Sequence, residues 1–426
     1  MKLCYHYILA TLLTLTLAAC SDEETDMRLN AESTEVYVSV MLNVSGNTAE
    51  MTRAGYIAPG DGTPDIDMQD GLDYENAIND KDVELYVFDQ EGTFVEKVLI
   101  TWHTSGTWYG VLNTISQEDV ANGKHFHIVA LCNHKGALNT NYSTPTAGTT
   151  TLDDFIASLS FSGYTEEFTK NLTKKDAQGN AVSSSSDVCI PMWGIKSIQF
   201  SPSGTMTNVG TIDILRALAK VRIALGGEAK TKNFQLQGAS LNVANANGYL
   251  AAQAHDGSQQ AYITETRSDG NGYTTNWNYV ENGTTGDNDQ TYRQDGIIYP
   301  SIFSSTSTIS EGLNFSKVTE NGIEYYVIYI PEYNHFDDGG EVVQTPATIE
   351  LTIADEVGNS VKDSKNQNYK LHFADYSNGK SPNAPQWDII RNDIYDYTIT
   401  KIEAGLQVEL QVAEWAEYKH STGVVM

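Results

Sequence analysis

Strict two-residue alternation of apolar side chains is the feature that most constrains this chain. Over Val36–Val44, with sequence VYVSVMLNV, every second residue is Val or Leu. Successive side chains of an extended strand point to opposite faces, so this pattern predicts a strand with one buried side. Further strands are predicted at Val83–Phe88, Phe94–Trp102, His125–Cys132, Leu215–Leu225, Tyr325–Ile330, Thr348–Ile353, Tyr395–Ile402 and Leu406–Val412. We therefore expect an all-β fold.

Two segments depart from this pattern or stay ambiguous. Apolar residues at Leu152, Phe155, Ile156 and Leu159 have helical spacing, which predicts one short helix capped by Thr150 or Thr151. The Ala content of Leu215–Leu225 leaves a helix open there as the alternative. The composition of Ser201–Gly210 predicts a linker between two domains.

The start of the chain has the features of an export signal. Lys2 precedes an apolar run of 13 residues, Tyr7–Ala19, which is too short to span a bilayer as a helix. Leu17-Ala18-Ala19-Cys20 matches the lipobox of bacterial lipoproteins, in which the cysteine thiol is lipidated. Residues 1–19 are thus predicted to be a signal peptide and Cys20 the lipidation site. The alternative is an ordinary signal peptide that contains a cysteine.

Charge and motifs exclude several functional classes. The chain has 55 acidic and 26 basic residues and a formal net charge of −29, which argues against nucleic-acid binding. The hydrolase, zinc-protease and nucleotide-binding motifs are missing, so no catalytic residue and no cofactor is predicted, and the chain is not expected to be an enzyme. The histidines at 125 and 127 are expected to be partly exposed strand residues. The acidic loops at Asp287–Asp289 and Asp337–Glu341 lack EF-hand spacing, so no metal site is predicted.

Two cysteines remain after the signal segment. Strand alternation puts Cys132 on one face with Phe126, Ile128 and Ala130, which predicts a buried thiol. A disulfide between Cys132 and Cys189 stays open, because an oxidising exterior allows it but sequence alone does not pair cysteines.

Several motifs occur in an order that resembles the FimA-like fimbrillins, the lipoprotein-derived pilins of type V pili. They lie at Met51–Gly55, Asp82–Asp89, Ile128–Asn133, Ile190–Gly194, Arg216–Val221, Tyr329–Glu332 and Ile390–Tyr397. The set covers nearly the whole chain. It departs from the family at Asn392–Tyr395, where an aromatic residue or His more often follows Arg-Asn.

The resemblance implies two tandem transthyretin-like β-sandwich domains with minor helices. It implies a propeptide at 20–53 that contains the first strand, domains at 54–205 and 206–405, and a donor segment at 406–426. Cleavage after Arg53 would leave Ala54 as the new N-terminus. A neighbouring subunit's C-terminal strands would then fill the groove left by the first strand.

The alternating residues themselves are compatible with such an exchange. The first strand presents Val36, Val38, Val40, Leu42 and Val44 on one face, and the C-terminal strand presents Leu406, Val408, Leu410 and Val412. One strand could therefore replace the other. A charged residue at Val408 or Leu410 is expected to block polymerisation and to leave the monomer folded.

The predicted function is a structural subunit of a cell-surface fimbrium that supports adhesion. Its expected partners are other copies of itself, further pilus subunits, an arginine-specific protease, host or bacterial surface receptors and the membrane that holds the lipid anchor. The expected location is the outer membrane for the precursor and the extracellular fimbrium for the assembled protein. The alternatives are a tip or anchor subunit, or an uncleaved surface lipoprotein that binds glycans, for which Trp277 is the residue to test.

Overall fold

A computed structural model gives the fold of the chain. It describes residues 36–44, 72–104, 107–136, 138–174, 188–200, 202–203, 206–251, 253–254, 263–266, 273–275, 298–299, 308–310, 312–320, 322–333, 335, 345–374, 376, 389, 391–402 and 406–414. By its contacts, Val36–Met426 forms one unit.

Helices are few and short in the described residues. They are α1 Gln117–Ala121, α2 Leu152–Ser158, α3 Glu166–Leu172 and α4 Gly227–Thr231, with a 3-10 turn at Asp73–Glu75. The helix predicted from Leu152 onward is confirmed as α2. Thr151 caps it, because its hydroxyl oxygen accepts a hydrogen bond from the Asp154 amide at 3.1 Å. None of the described helices is long and apolar enough to cross a membrane.

Strands make up most of the fold, as predicted. In the first half they are β1 Val36–Val44, β2 Val83–Asp89, β3 Phe94–Lys97, β4 Leu99–Thr104, β5 Thr107–Leu112, β6 His125–Cys132, β7 Asn139–Asn141, β8 Ser160–Ser162, β9 Met192–Gln199, β10 Pro202–Ser203 and β11 Met206–Arg216. In the second half they are β12 Ala219–Leu225, β13 Gln235–Leu241, β14 Ala244–Asn245, β15 Gly248–Tyr249, β16 Gln253–Ala254, β17 Ile263–Thr266, β18 Tyr273–Thr275, β19 Ile298–Tyr299, β20 Thr308–Ile309, β21 Leu313–Asn314, β22 Ser316–Glu320, β23 Ile323–Ile330, β24 Thr348–Ala354, β25 Ser360–Val361, β26 Tyr369–His372, β27 Asp393–Ile402 and β28 Leu406–Glu414.

The first sheet has the strand order β3-β2-β6-β9-β11-β1-β5-β4, with β10 on β11. Its two end strands, β3 and β4, are consecutive in the chain and meet at a corner at Val98. Gly110 on β5 is required beside this corner, since a Cβ there would lie 2.4 Å from the Val98 Cγ1 atom. The predicted single strand Phe94–Trp102 is therefore two strands, because the chain turns from one partner to another.

Two further sheets lie in the second half of the chain. One has the order β22-β23-β12-β27-β28, and the other has β21-β13-β24-β25 with β26 also on β24. In the first of these, β12 is parallel to β27 and antiparallel to β23. The inward residues of both sheets, including Leu241, Ile328, Leu351 and Ile399, are fully buried.

Two sequence predictions are wrong around β11. The predicted linker Ser201–Gly210 contains β10 and the first part of β11, which pairs with β1 inside the first sheet. The Gly and Ser content predicted a linker there. Val209 within the segment and Ile212 just after it are, however, buried in the core. Leu215–Leu225 is also not one strand, because β11 ends at Arg216 and β12 starts at Ala219.

The two described cysteines are buried and free. Burial raises the pKa of the Cys132 thiol, so this side chain behaves as a small core residue, as predicted.

Candidate functional site

The strand β1 occupies an internal position in the first sheet. It runs parallel to β11 on one side and antiparallel to β5 on the other. The five residues of its alternating apolar face are all at most 3% exposed: Val36, Val38, Val40, Leu42 and Val44. Its prediction as a strand with one deeply buried face is confirmed. We call its place between β11 and β5 the β1 slot.

The opposite face of β1 carries two polar side chains that contact β11. The Asn43 amide donates to the Asp213 carboxylate, with 2.9 Å between Nδ2 and Oδ1. The Ser39 hydroxyl lies 3.5 Å from the Asn208 Oδ1 atom. Asp213 and Asn208 are exposed, so these contacts line the outer side of the slot.

The strand β28 lies at the end of the five-stranded sheet, next to β27. Its backbone pairs with β27 from Ile402↔Leu406 to Asp393↔Glu414. Leu406 and Val408 are 8% and 2% exposed, so they belong to the core of this chain. The expectation that a charge at Val408 leaves the monomer folded is therefore at odds with the structure. Leu410 and Val412 pair with Tyr397 and Tyr395 through the backbone.

The other predicted sites fall outside the described residues. These are Cys20, Arg53, Ala54, Trp277 and both acidic loops. In the described part of the chain, no cluster of three His, Cys, Asp or Glu residues is arranged to hold a metal ion. Of the two strand histidines, His127 is buried instead of partly exposed. Its Nδ1 atom lies 2.6 Å from the Ser197 hydroxyl.

Sequence reasoning missed a buried polar cluster that joins the two halves of the chain. Arg216, at the end of β11, is fully buried, and its guanidinium donates to the Asn392 side-chain oxygen at 2.8 Å and also to Asn76. The backbone N–H of Asn392 donates to the Leu218 carbonyl oxygen at 2.9 Å. Burial lowers the pKa of Arg216 to about 9, while the charge of Glu75 acts in the opposite direction, so Arg216 stays charged at neutral pH.

Buried ion pairs extend this cluster across the second half. The Lys220 ammonium lies 2.9 Å from carboxylate oxygens of both Glu75 and Glu320. Glu320 also binds Arg222 at 2.9 Å, and Arg222 pairs with Asp396. Burial of an ion costs free energy that only close pairing offsets, so these groups depend on one another.

One tyrosine and a third arginine extend the cluster. The Tyr329 hydroxyl donates to Glu75, and burial raises the pKa of Tyr329 well above its ordinary value. Arg391 pairs with Glu332 at 2.6 Å and donates to the Leu250 carbonyl oxygen at 2.6 Å. The motifs around Arg216, Tyr329 and Arg391, which are far apart in sequence, thus converge at one place. Charged residues within apolar strand patterns were the signal for this cluster.

A second buried polar cluster surrounds Glu84 on β2. Its carboxylate accepts from the Tyr86 hydroxyl at 2.5 Å and pairs with Lys97 at 2.5 Å and with Lys135. His134 is fully buried between two carboxylates, with Nδ1 2.9 Å from Asp82 and Nε2 3.1 Å from Glu84. Burial opposes the charged imidazolium, but the neighbouring carboxylates of Asp82 and Glu84 outweigh it and raise the pKa of His134.

These features can hold strands and halves together but contain no assembled catalytic group. The β1 slot and the end strand β28 provide surfaces for strand pairing, and the two buried clusters provide rigidity. Strand pairing gives affinity through backbone hydrogen bonds and selectivity through alternate side chains.

One family model matches most of the chain. The model of the family described as fimbrillin-A associated anchor proteins Mfa1 and Mfa2 matches residues 76–421. No curated protein matches the chain.

Solved structures with similarity to the chain include fimbrial proteins. The tip fimbrial protein Mfa3 from Porphyromonas gingivalis, with C-terminal truncation, has 14% identity and a TM-score of 0.39, over 89% of this chain and 100% of that one. A fimbrial assembly protein from Parabacteroides distasonis has 12% identity and a TM-score of 0.34, over 89% of this chain and 98% of that one.

The family match spans the described strands after β1 and, apart from Glu75, the residues of both buried clusters. It includes Arg216, Tyr329 and Arg391, the residues at which distant motifs converge. The chain therefore belongs to the family of fimbrillin-A associated anchor proteins Mfa1 and Mfa2.

Proposed function

We propose that this chain is a structural subunit of a cell-surface fimbrium, joined to its neighbours by exchange of the strand in the β1 slot. In this proposal the precursor is exported as a lipoprotein through Cys20. A protease then cuts after Arg53, β1 leaves, and β28 of a neighbouring copy enters the slot. Family membership supports the fimbrial role, and the position of β1 supports the exchange.

The single observation that carries the proposal is the internal position of the first described strand. Because β1 lies between β11 and β5, its departure leaves backbone donors and acceptors unpaired on both sides. It also empties the sites of five buried apolar side chains. At roughly 1.5–3 kcal/mol for each buried Val or Leu, refilling them would contribute on the order of 7–15 kcal/mol before ordering costs.

The position of Arg53 in the sequence supports a release step. Residues 45–71 connect β1 to the next described residues, and Arg53 lies within this connection. A cut there would leave β1 held only by non-covalent contacts. Strand exchange could then proceed without breaking any other covalent bond of the chain.

The end position of β28 supports its role as the donor. Among the described strands it pairs with β27 alone, so it can leave without splitting its sheet. Its departure has a cost, since Leu406 and Val408 are buried in their own chain. Transfer to a neighbour's slot would offset this cost by two-sided pairing. The resulting contact is head to tail and does not close, which makes a filament.

A second candidate, an anchor subunit, is favoured by the description of the matching family. An anchor would keep its lipid and its own β1, and would present only its other end to the fimbrium. The two candidates predict different N-termini for the chain in the fimbrium, namely Cys20 for the anchor and Ala54 for the exchanged subunit.

N-terminal sequencing of purified fimbriae tests the proposal. We expect the assembled chain to begin at Ala54 and Arg53→Ala to prevent incorporation. Arg28→Ala is the matched control, because Arg28 precedes β1 and a cut there cannot release the strand. Fimbriae that contain the chain with Cys20 as its first residue would refute the exchange and favour the anchor.

A further inference from the structure

The outer side of the β1 slot carries a polar pair with a defined spacing. Asn43 donates to Asp213 at 2.9 Å and Ser39 contacts Asn208 at 3.5 Å. On β1 the two polar residues are four positions apart, so they share a face. On β11 their partners are five positions apart, which in a regular strand would put them on opposite faces.

A bulge in β11 resolves this mismatch. The register passes from Ser39↔Asn208 to Val40↔Gly210, so Val209 is an extra residue. Gly210 has φ +77°, a conformation that favours glycine. The bulge therefore turns Asn208 and Asp213 to the same side of the slot.

We infer that Asn208 and Asp213 select the register of the strand that enters the β1 slot, and that the strand which fits is β28 of a second copy, with Gln411 in the place of Asn43. This inference rests on the proposed strand exchange. It adds a specificity device to that function, since buried apolar residues alone do not distinguish a register from one shifted by two residues.

The sequence of β28 matches the spacing of the slot. Gln407 and Gln411 are four positions apart, as are Ser39 and Asn43. With Gln407 in the place of Ser39 and Gln411 in the place of Asn43, both amides can donate to the acceptors on β11. The apolar residues then take the places of the buried face, namely Leu406 for Val38, Val408 for Val40, Leu410 for Leu42 and Val412 for Val44.

The one charged residue among these positions, Glu409, also has a suitable place. It replaces Met41, whose backbone partners are Thr211 on β11 and Thr107 on β5. Threonine hydroxyls can donate to a carboxylate. The Lys196 ammonium donates to the Thr211 carbonyl oxygen at 2.8 Å, so a positive charge lies at the same level of the sheet.

A shifted register is disfavoured for physical reasons. A shift of one residue turns Leu and Val to the outside and Gln and Glu to the core. A shift of two residues that moves Glu409 to the place of Asn43 puts its carboxylate opposite Asp213. Like charges opposite each other on neighbouring strands are destabilising.

The orientation of the incoming strand follows from the backbone. The side-chain pattern of Leu406–Val412 is symmetric about Glu409, so it fits the slot in either direction. The strand takes the direction of β1, parallel to β11, because this remakes the hydrogen-bond pattern that β1 leaves behind. Gln411 then faces Asp213, and Gln407 faces Asn208.

Peptide binding to the full-length chain, cut by a trypsin-like protease, tests this assignment. Fluorescent peptides with the sequence of Leu406–Glu414 are offered in excess as wild type, Q407E, Q411E and the control L410D. On the wild-type chain we expect Q411E to bind about two- to tenfold more weakly than the wild-type peptide, and L410D not to bind. The substitution Asp213→Asn in the protein should remove the defect of Q411E and leave the Q407E affinity unchanged.

Each other outcome overturns a defined part of the inference. If Asp213→Asn rescues Q407E instead of Q411E, the parallel orientation is wrong. If the wild-type, Q407E and Q411E peptides bind with equal affinity, Asn208 and Asp213 do not set the register, while the proposed strand exchange still stands. If the wild-type peptide fails to bind a cut chain that keeps its circular dichroism spectrum, both this inference and the proposed function are wrong. The peptide variants keep the test valid even if Asp213→Asn impairs folding.

Discussion

Arg216 and Asn392 are hydrogen-bonded at 2.8 Å although 176 positions separate them. Arg216 ends the last strand of the first sheet, and Asn392 immediately precedes β27 of the second half. Both are fully buried, so each provides the polar partner that the other needs. This contact joins the two halves of the chain at the connection between β11 and β12.

Asn392 accepts the hydrogen bond from Arg216 and also adopts a left-handed backbone conformation, and two substitutions can separate these roles. Its φ of +59° is left-handed, a conformation that Asn and Gly tolerate better than Ala. We expect Asn392→Gly to cost about 1–3 kcal/mol of unfolding free energy, because Arg216 loses an acceptor. Asn392→Ala should cost about 1 kcal/mol more because of backbone strain. Urea denaturation of both variants measures the difference, and equal stability of the two would contradict the strain.

Lys220 should be among the most sensitive side chains of the fold. Its replacement by Met leaves Glu75 and Glu320 buried without the ammonium at 2.9 Å. Breaking a buried pair typically costs about 3–5 kcal/mol. Chemical denaturation measures this loss. Lys317→Met is the control, since its pair with Glu324 is exposed and should contribute little. Similar losses of unfolding free energy in both variants would show that the buried ion pairs of Lys220 stabilise the fold no more than an exposed pair does.

The cluster around His134 predicts a pH-dependent contribution to stability. The pKa of His134 is raised in the folded chain by Asp82 and Glu84, despite burial. Such a group stabilises fully below its ordinary pKa of about 6.5, and this contribution is lost as the pH rises through the higher folded value. The melting-temperature difference between wild type and His134→Gln should therefore be larger at about pH 6 than at about pH 9.

The charged neighbours of His134 define the control for this experiment. Lys97 and Lys135 share the Glu84 carboxylate, and Tyr86 and Tyr142 donate to it. His125→Gln, a substitution of a histidine outside this cluster, serves as the control variant. A His134→Gln deficit that stays constant or grows with pH would contradict the charged form of His134.

Val408 tests how far β28 belongs to its own chain before exchange. Because Val408 is 2% exposed, Val408→Asp should bury a charge and lower the melting temperature of the uncut monomer. Val357→Asp is the matched control, since Val357 is 74% exposed and should tolerate the change. A Val408→Asp monomer that melts like wild type would mean that β28 is not a stable part of its own sheet.

Lipidation of Cys20 is a prediction from the sequence alone. Metabolic labelling with a fatty-acid probe should mark the wild-type precursor and leave Cys20→Ala unmarked. Cys4→Ala, a cysteine inside the predicted signal segment, serves as the control and should keep the label. Equal labelling of wild type and Cys20→Ala would refute the lipoprotein assignment.

The sequence by itself determined the local structure of this protein. Alternation at Val36–Val44 and His125–Cys132 predicts β1 and β6, because a strand must put every second side chain into the core. Helical spacing and a cap predict α2 in the same way. The order of motifs also indicated the fimbrillin resemblance. The strand and helix signals are carried by residues close together in the chain, whereas the motif order extends along most of it.

Only the tertiary structure decided which strands and charges meet. Composition predicted a linker where β11 enters the first sheet, since pairing with β1 depends on residues about 170 positions away. Nothing local shows that Arg216, Lys220 and Glu320 share one buried cluster, or that a bulge at Gly210 aligns Asn208 with Asp213. Hydrogen bonds and ion pairs form between whichever groups folding brings within about 3 Å, and that proximity is a property of the packed chain.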